Sequence, residues 1–291
     1  MESKPAQPLE QVDDNKEFED LLSSLPREKG FMSSSSYQYQ GFWYPPSLLQ
    51  GVINCQKHLK PLENDIFIVT APKSGTTWMK GIIYALMNRE AHPPHTPHHP
   101  LLNNAPRDLV PFLEVLSPSE YDSVCNSPDR NARIFATHIP VVSLPKSVTA
   151  SLSNCKIVYM CRDIKDNFVS LFHFGNKANL GSSPISLEDA FNLYCKGVSA
   201  PGPVWDQILG YWIESQKNPH KVLFMRYEEM KDEPKLQLRR LAKLFEIPFS
   251  LEEENSGLFI FPERCGWRLE KLASRLDEIT EEKFRGSGLS L

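Results

Sequence analysis

Residues 65–87 decide the fold. They read Asp65-Ile66-Phe67-Ile68-Val69-Thr70, then Ala71-Pro72-Lys73-Ser74-Gly75-Thr76-Thr77, then Trp78-Met79-Lys80-Gly81-Ile82-Ile83-Tyr84-Ala85-Leu86-Met87. The first stretch is a short apolar, β-branched run, the mark of a strand buried on both faces. The second is rich in turn-formers. In the third, Trp78, Met79, Ile82, Ile83, Leu86 and Met87 recur at helical spacing. The order is strand, loop, helix. Working outward, residues 133–137, 156–160 and 222–226 are three more short apolar runs. Helical patterns fall at 166–174, 187–196, 204–216 and 235–245. Strands alternating with helices predict an α/β fold: a single domain whose mainly parallel central sheet is flanked by helices. In such folds ligands bind beyond the carboxyl ends of the strands. Lys73, His138 and Arg162 each fall there, at the ends of three different runs.

The composition fits this picture and excludes others. Of 291 residues, 41% are hydrophobic and 23% charged, as in an ordinary globular chain, which rules out wholesale disorder. The net charge of -4 makes nucleic acid a poor partner, because polyanion binders are basic. Six cysteines lie far apart and form no CxxC pair, so a zinc site has little support and a reducing, cytoplasmic setting is expected. No apolar stretch approaches the roughly 18 residues of a membrane span. Residues 1–36 are polar and read as a mobile tail carrying a short amphipathic helix near Phe18 to Leu25. The aromatic cluster Tyr37, Tyr39, Phe42, Trp43 and Tyr44 follows, either packed over the core or walling a ligand pocket. His92, His95, His98 and His99 occupy a Pro-rich stretch on no regular element and read as a solvated loop.

Three segments carry chemistry. Lys73-Ser74-Gly75-Thr76-Thr77-Trp78 enters a helix N-terminus, where unpaired N–H groups and the helix dipole favour an anion. Gly75 admits close backbone approach, Thr76 and Thr77 add hydroxyls, and Lys73 adds a charge; the ligand is a phosphate or sulfate. The plainer alternative is a capped strand-helix turn. The Walker A order GxxxxGK[ST] is absent, since Lys73 precedes Gly75, which disfavours ATP or GTP hydrolysis. In Cys161-Arg162-Asp163-Ile164-Lys165-Asp166-Asn167-Phe168-Val169-Ser170, the Arg162 guanidinium can grip a phosphate bidentately and Ser170 can add a hydroxyl. An ion pair of Arg162 with Asp163 or another carboxylate is the alternative. In Ala136-Thr137-His138-Ile139-Pro140, His138 ends a strand where a base could take a hydroxyl proton near neutral pH.

These segments in this order resemble the cytosolic sulfotransferases, the plant branch in particular. The matching stretches are Ala71 to Trp78, Phe135 to Pro140, Tyr159 to Phe174 and Leu223 to Met230. Gly41-Phe42-Trp43-Tyr44 near the start matches too, as do Glu281-Glu282-Lys283 and Gly286-Ser287-Gly288-Leu289 near the end. The resemblance implies a P-loop-like 5′-phosphosulfate loop and a donor, 3′-phosphoadenosine 5′-phosphosulfate (PAPS), with no metal. It implies that Lys73, Ser74, Gly75, Thr76, Thr77 and Trp78 cradle the 5′-phosphosulfate. Arg162 and Ser170 would take the 3′-phosphate, Tyr227 and Trp78 the adenine region, and His138 the role of catalytic base, with Lys73 stabilising the leaving oxygen. The acceptor would be a small hydroxylated molecule, aromatic or steroid-like, facing Phe42, Trp43, Tyr44, Phe112 and Phe172. A homodimer is left open.

The sulfotransferase-like region, 37–291, is atypical at 257–272. There the family's Arg-Lys-Gly-x-x-Gly-Asp-Trp lid over the 3′-phosphate is missing, and Arg264, Gly266 and Trp267 only echo it. Each lost charge-assisted hydrogen bond is worth about 1.5–3 kcal/mol, so donor affinity should fall. Two other functions stay in view: a homologue that binds nucleotide or acceptor without turnover, and a P-loop nucleotide kinase.

Overall fold

The computed structural model describes residues 9–93, 96–125, 133–150, 154–178, 184–255 and 273–289. The atypical segment 257–272, Cys265 and His95 lie outside them. The central sheet holds four parallel strands: β4 (Ile66–Thr70), β5 (Ile134–Thr137), β6 (Lys156–Cys161) and β7 (Val222–Arg226), in spatial order β5-β4-β6-β7. A separate antiparallel sheet joins β1 (Arg27–Glu28), β2 (Ser36–Tyr39) and β3 (Phe42–Tyr44), with Tyr37 opposite Tyr44 and Tyr39 opposite Phe42. The aromatic cluster thus forms a hairpin, with its tight turn at Gln40 and Gly41, both at positive φ.

All five residues of β4 are buried, and their alternation explains the layers. Phe67 and Val69 face one apolar cluster together with Phe135, Ile157, Tyr159 and Phe224. Ile66 and Ile68 face the other with Ala136, Val158, Met160 and Met225. Successive side chains of a strand point to opposite faces, so a continuous apolar run is what two covered faces require. Met79, Ile82, Ile83 and Leu86 of the helix Thr76–Met87 cover the second face with Leu238 and Leu241 of the helix Pro234–Leu244. The helices Pro46–His58, Ile164–Ala178, Leu187–Cys195 and Val204–Lys217 cover the first.

At the amino edge of the sheet, Asp65 and Arg133 form a buried bidentate pair, Nη2 to Oδ2 at 2.6 Å and Nε to Oδ1 at 2.9 Å. Arg133 also donates to the carbonyls of Val124 and Lys60, so no donor plane of the guanidinium is wasted. Such two-pronged pairing fixes geometry as well as charge. It registers the starts of β4 and β5, leaving their opposite ends free for loops.

The beginning of the chain differs from expectation. The helix runs from Leu9 to Ser24, longer than the piece expected near Phe18 to Leu25. After it, Phe31 and Met32 are buried in the core and Arg27 holds Ser35 Oγ at 2.7 Å. Polar composition hid two apolar anchors. Of the histidine-rich stretch, His99 is buried and its Nδ1 accepts the Leu101 N–H, capping a short helix at Pro100–Asn103. The five described cysteines are free thiols. No helix among the described residues is long and apolar enough to cross a membrane.

Candidate functional site

Each parallel strand ends in a residue singled out from sequence. Lys73 follows β4, His138 follows β5, Arg162 follows β6 and Tyr227 follows β7. The loop after β4 is wound tightly: Lys73 has φ +68° and Gly75 φ +99°, and Ser74 N–H donates to Ala71 O at 3.2 Å. Glycine is required at 75 for a second reason. A Cβ there would lie 2.6 Å from Met160 Cε and 2.9 Å from Tyr227 Cδ2. Gly75 caps the helix Thr76–Met87, so the N–H groups of Thr76, Thr77 and Trp78 form its first turn, where no helical carbonyl can accept them. They and the positive end of the dipole face the loop.

The hydroxyls divide. Ser74 is buried and its Oγ accepts from Asn167 Nδ2 at 3.0 Å; Thr76 Oγ1 lies 2.7 Å from Thr70 Oγ1. Both therefore shape the loop, whereas Thr77 is exposed. Asn167 is the staple that sequence reasoning missed. Its amide also donates to Pro72 O at 2.7 Å, and its carbonyl accepts from the Tyr194 hydroxyl at 2.8 Å. Nothing in an isolated Asn on a helix announces such a bond, because it depends on how the helix lies against the loop.

Arg162 and Lys73 come together. Arg162 Nη1 donates to Lys73 O at 3.2 Å, and the guanidinium stands 5.0 Å over the Tyr227 ring. Tyr227 in turn meets Trp78 edge to face at 5.3 Å. Arg162 does find a carboxylate, as the sequence allowed, but it is Asp166, at 3.3 Å and half exposed. The buried Nε has no partner among the described residues. Among the described residues no carboxylate pairs with Lys73; its ammonium lies 4.5 Å from the Phe174 ring. Burial and the neighbouring Arg162 cation both hold its pKa below the usual lysine value. Two like charges held together with unspent donors favour an anion between them. Ser170 sits half-buried on the same helix as Asn167, and its hydroxyl finds no partner among the described residues.

His138 is oriented from several sides. Its Nδ1 is 2.7 Å from Thr70 O, and a carbonyl can only accept, so Nδ1 carries the proton and Nε2 keeps the lone pair. Phe112 packs edge-on against the ring at 4.7 Å. Burial, with Lys80 and Lys73 adding repulsion, pushes its pKa down to about 4. The ring is thus neutral near pH 7, with a base at Nε2. Two further residues escaped sequence reading: Glu114, whose Oε1 accepts the His138 N–H at 2.5 Å, and Gln207, whose Nε2 donates to His138 O at 2.6 Å. Among the described residues no cluster of three His, Cys, Asp or Glu side chains is placed to hold a metal ion.

The site can therefore bind an anion at a helix N-terminus, grip a second charge at Arg162 and accept a proton at His138. Comparison with known proteins places it. The Sulfotransferase domain family model matches residues 63–259. Cytosolic sulfotransferase 12 of Arabidopsis thaliana is 42% identical, covering 92% of each chain. Cytosolic sulfotransferase 13 of the same plant is 44% identical over 83% of this chain and 72% of its own. The solved structure of a putative steroid sulphotransferase of Arabidopsis thaliana superposes with a TM-score of 0.82 at 42% identity, covering 99% of this chain and 100% of that one. A mouse sulfotransferase crystallised with PAP shares the fold, with a TM-score of 0.65 at 23% identity over 87% of this chain and 95% of its own. With the strand-end site, the family match over most of the chain and these relatives agreeing, the protein belongs to the sulfotransferase family.

Proposed function

We propose that the protein is a cytosolic enzyme that moves the sulfuryl group of PAPS to a hydroxyl of a small aromatic or steroid-like acceptor. The observation that carries this reading is the fixed Nδ1–H tautomer of His138, which leaves a neutral base beside a cationic anion loop. The donor's chemistry fits the residues present. It carries phosphate on both sides of its ribose, and the site offers two anion-seeking groups. One is the Lys73–Trp78 loop with its first-turn N–H donors; the other is Arg162, whose buried Nε has no partner among the described residues, with the Ser170 hydroxyl on the following helix. Trp78 and Tyr227 supply aromatic faces for a base.

The donor supplies an activated sulfuryl group. His138 Nε2 takes the acceptor's hydroxyl proton as that oxygen attacks sulfur. Lys73 and the loop N–H groups stabilise the charge that grows on the departing phosphate oxygen, a charge present only partly in the ground state. Phe112 against His138 and Phe174 against Lys73 give the acceptor side an apolar wall, which supports a flat, hydrophobic acceptor. The likeness to a plant protein described as a putative steroid sulphotransferase points the same way.

The test is radiolabelled sulfuryl transfer from PAPS to a panel of flavonoid, steroid and simple phenolic hydroxyls, with calorimetric binding of adenosine 3′,5′-bisphosphate (PAP) alongside. His138→Ala should cut turnover by about a hundredfold or more, in line with the loss of a general base, and leave PAP affinity within about twofold. Near-normal turnover in that variant would remove His138 from the chemistry.

A further inference from the structure

Resting on the reading of His138 as proton acceptor, we propose that Glu114 is a positioning residue: its buried carboxyl, with Gln207 opposite, clamps the His138 backbone on both sides of its Cα and so fixes where Nε2 points. Glu114 Oε1 holds the His138 N–H at 2.5 Å and Gln207 Nε2 holds its carbonyl at 2.6 Å. Both side chains are more than nine-tenths buried, at 6% and 0% exposure. They hold the two peptide groups that flank the His138 Cα, and they come from different elements, the 3₁₀ turn Leu113–Val115 and the helix Val204–Lys217.

The turn carrying Glu114 touches His138 twice. Phe112, two residues earlier, lies against the imidazole ring, while Glu114 holds the backbone. The same segment is laid along β5: Ala136 N–H donates to Pro111 O at 2.9 Å, and Phe112 pairs with Ala136 as an isolated bridge. It cannot retreat, because the helix Pro46–His58 is pressed onto it at Gly51, where a Cβ would come 2.0 Å from Glu114 O. A histidine whose ring and flanking peptides are all gripped has little freedom left to misplace Nε2.

The burial of these two polar side chains is otherwise hard to understand. Among the described residues, Glu114 Oε2 and Gln207 Oε1 are both buried without hydrogen-bond partners. Unmade bonds of this kind destabilise a fold, so they need a reason. The groups facing Glu114 are Lys80 from the helix Thr76–Met87, Tyr44 from β3, Cys55 from the helix Pro46–His58, Tyr121, Tyr211 from the helix Val204–Lys217, and His138 itself. Only Lys80 among them is cationic at neutral pH, and its ammonium is engaged by Val110 O at 2.9 Å. Burial raises the Glu114 pKa to about 7, against the pull of the His138 N–H, its own N–H, the Thr137 hydroxyl and, least, Lys80. A glutamine, which keeps an acceptor oxygen and carries no charge, is therefore a close substitute for the clamp.

The experiment compares Glu114→Ala, Glu114→Gln and Gln207→Leu for kcat, for PAP affinity and for the imidazole ¹⁵N shifts of His138, which read its tautomer without turnover. Expected for Glu114→Ala is a kcat lower by about tenfold to a hundredfold, as small misplacements of a reacting group produce. PAP affinity should stay within about twofold, and the Nδ1–H tautomer should become mixed. Glu114→Gln should restore the tautomer and most of kcat. Loss of PAP affinity in step with kcat, with no rescue by Gln, would reduce Glu114 to a structural part. An unaltered tautomer and kcat in folded Glu114→Ala would overturn the proposal outright. Should Glu114→Ala fail to fold, Gln207→Leu tests the clamp from the other side with the same two outcomes. A mixed tautomer in Glu114→Ala beside full turnover in His138→Ala would leave the positioning intact and defeat the base assignment instead.

Discussion

Replacing Gly75 with Ala strikes the loop where its backbone is least forgiving. At φ +99° an L-residue costs about 1–2 kcal/mol relative to glycine. The new methyl would also lie 2.6 Å from Met160 Cε and 2.9 and 3.1 Å from the Tyr227 ring. Met160 can swing its flexible end aside. Tyr227 cannot move as freely, held between the Trp78 edge at 5.3 Å and the Arg162 guanidinium at 5.0 Å. Overpacking of this kind adds about 1–3 kcal/mol. The total of about 2–5 kcal/mol divides between the fold and the site, because relief comes by shifting Tyr227, the loop or both. At about 2–4 °C per kcal/mol for a chain of this size, the melting temperature should fall by several degrees. Calorimetric titration should show PAP binding weakened by about tenfold or more, since 1.4 kcal/mol is one decade. A lower melting temperature with unchanged PAP affinity would show that the loop is only a turn. Wild-type values of both would refute the close approach itself.

Other expectations are simpler to state. Arg162→Ala should weaken PAP by about tenfold to a hundredfold, the worth of one or two charge-assisted bonds, while adenosine 5′-phosphate binding changes far less; equal losses would separate Arg162 from the 3′-phosphate. Asn167→Ala removes the bonds to Pro72 O and Ser74 Oγ and strands the Tyr194 hydroxyl. It should cost about 2 kcal/mol in urea unfolding and weaken PAP as well; unchanged unfolding would deny the staple. His138 has its pKa lowered from 6.5 to about 4, so the unfolded chain binds the proton more readily. Its contribution is whole above pH 6.5 and is lost as pH falls toward 4, and a His138→Gln variant should lose stability less steeply across that window; parallel curves would contradict it.

The strands were legible because β4, β6 and β7 are covered on both faces and so spell out apolar runs. The boundaries moved little: the strand expected at 133–137 spans Ile134–Thr137, and the one at 222–226 spans Val222–Arg226. The helix expected at 166–174 runs from Ile164 to Ala178, since Lys165 and Asp166 at its start and Gly175, Asn176 and Lys177 at its end interrupt the apolar period. Lys73, His138 and Arg162 could be placed because strand ends are predictable and polar residues there are few, whereas Tyr227 was singled out by the resemblance alone. Asn167, Glu114 and Gln207 could not. Each acts through a contact with a residue twenty or more positions away, and neither composition nor period records such a meeting. Phe31 and Met32 were hidden for a related reason, two apolar residues in a polar stretch making no pattern.

The strand order has a consequence for how the protein comes into being. β4, the earliest of the four parallel strands to be synthesised, lies between β5 and β6, and β7 completes the sheet. Every partner arrives roughly sixty-five to ninety residues later, as Ile66 with Ile134, Ile66 with Lys156 and Ile157 with Val222 attest. None of these ladders is local, so loop-closure entropy must be met before pairing is rewarded, and folding should be slow. A ribosome making about 5–20 residues per second leaves β4 unpaired for several seconds. Throughout that interval Ile66-Phe67-Ile68-Val69 is an exposed sticky segment, which makes this stretch the point where nascent chains need protection from one another.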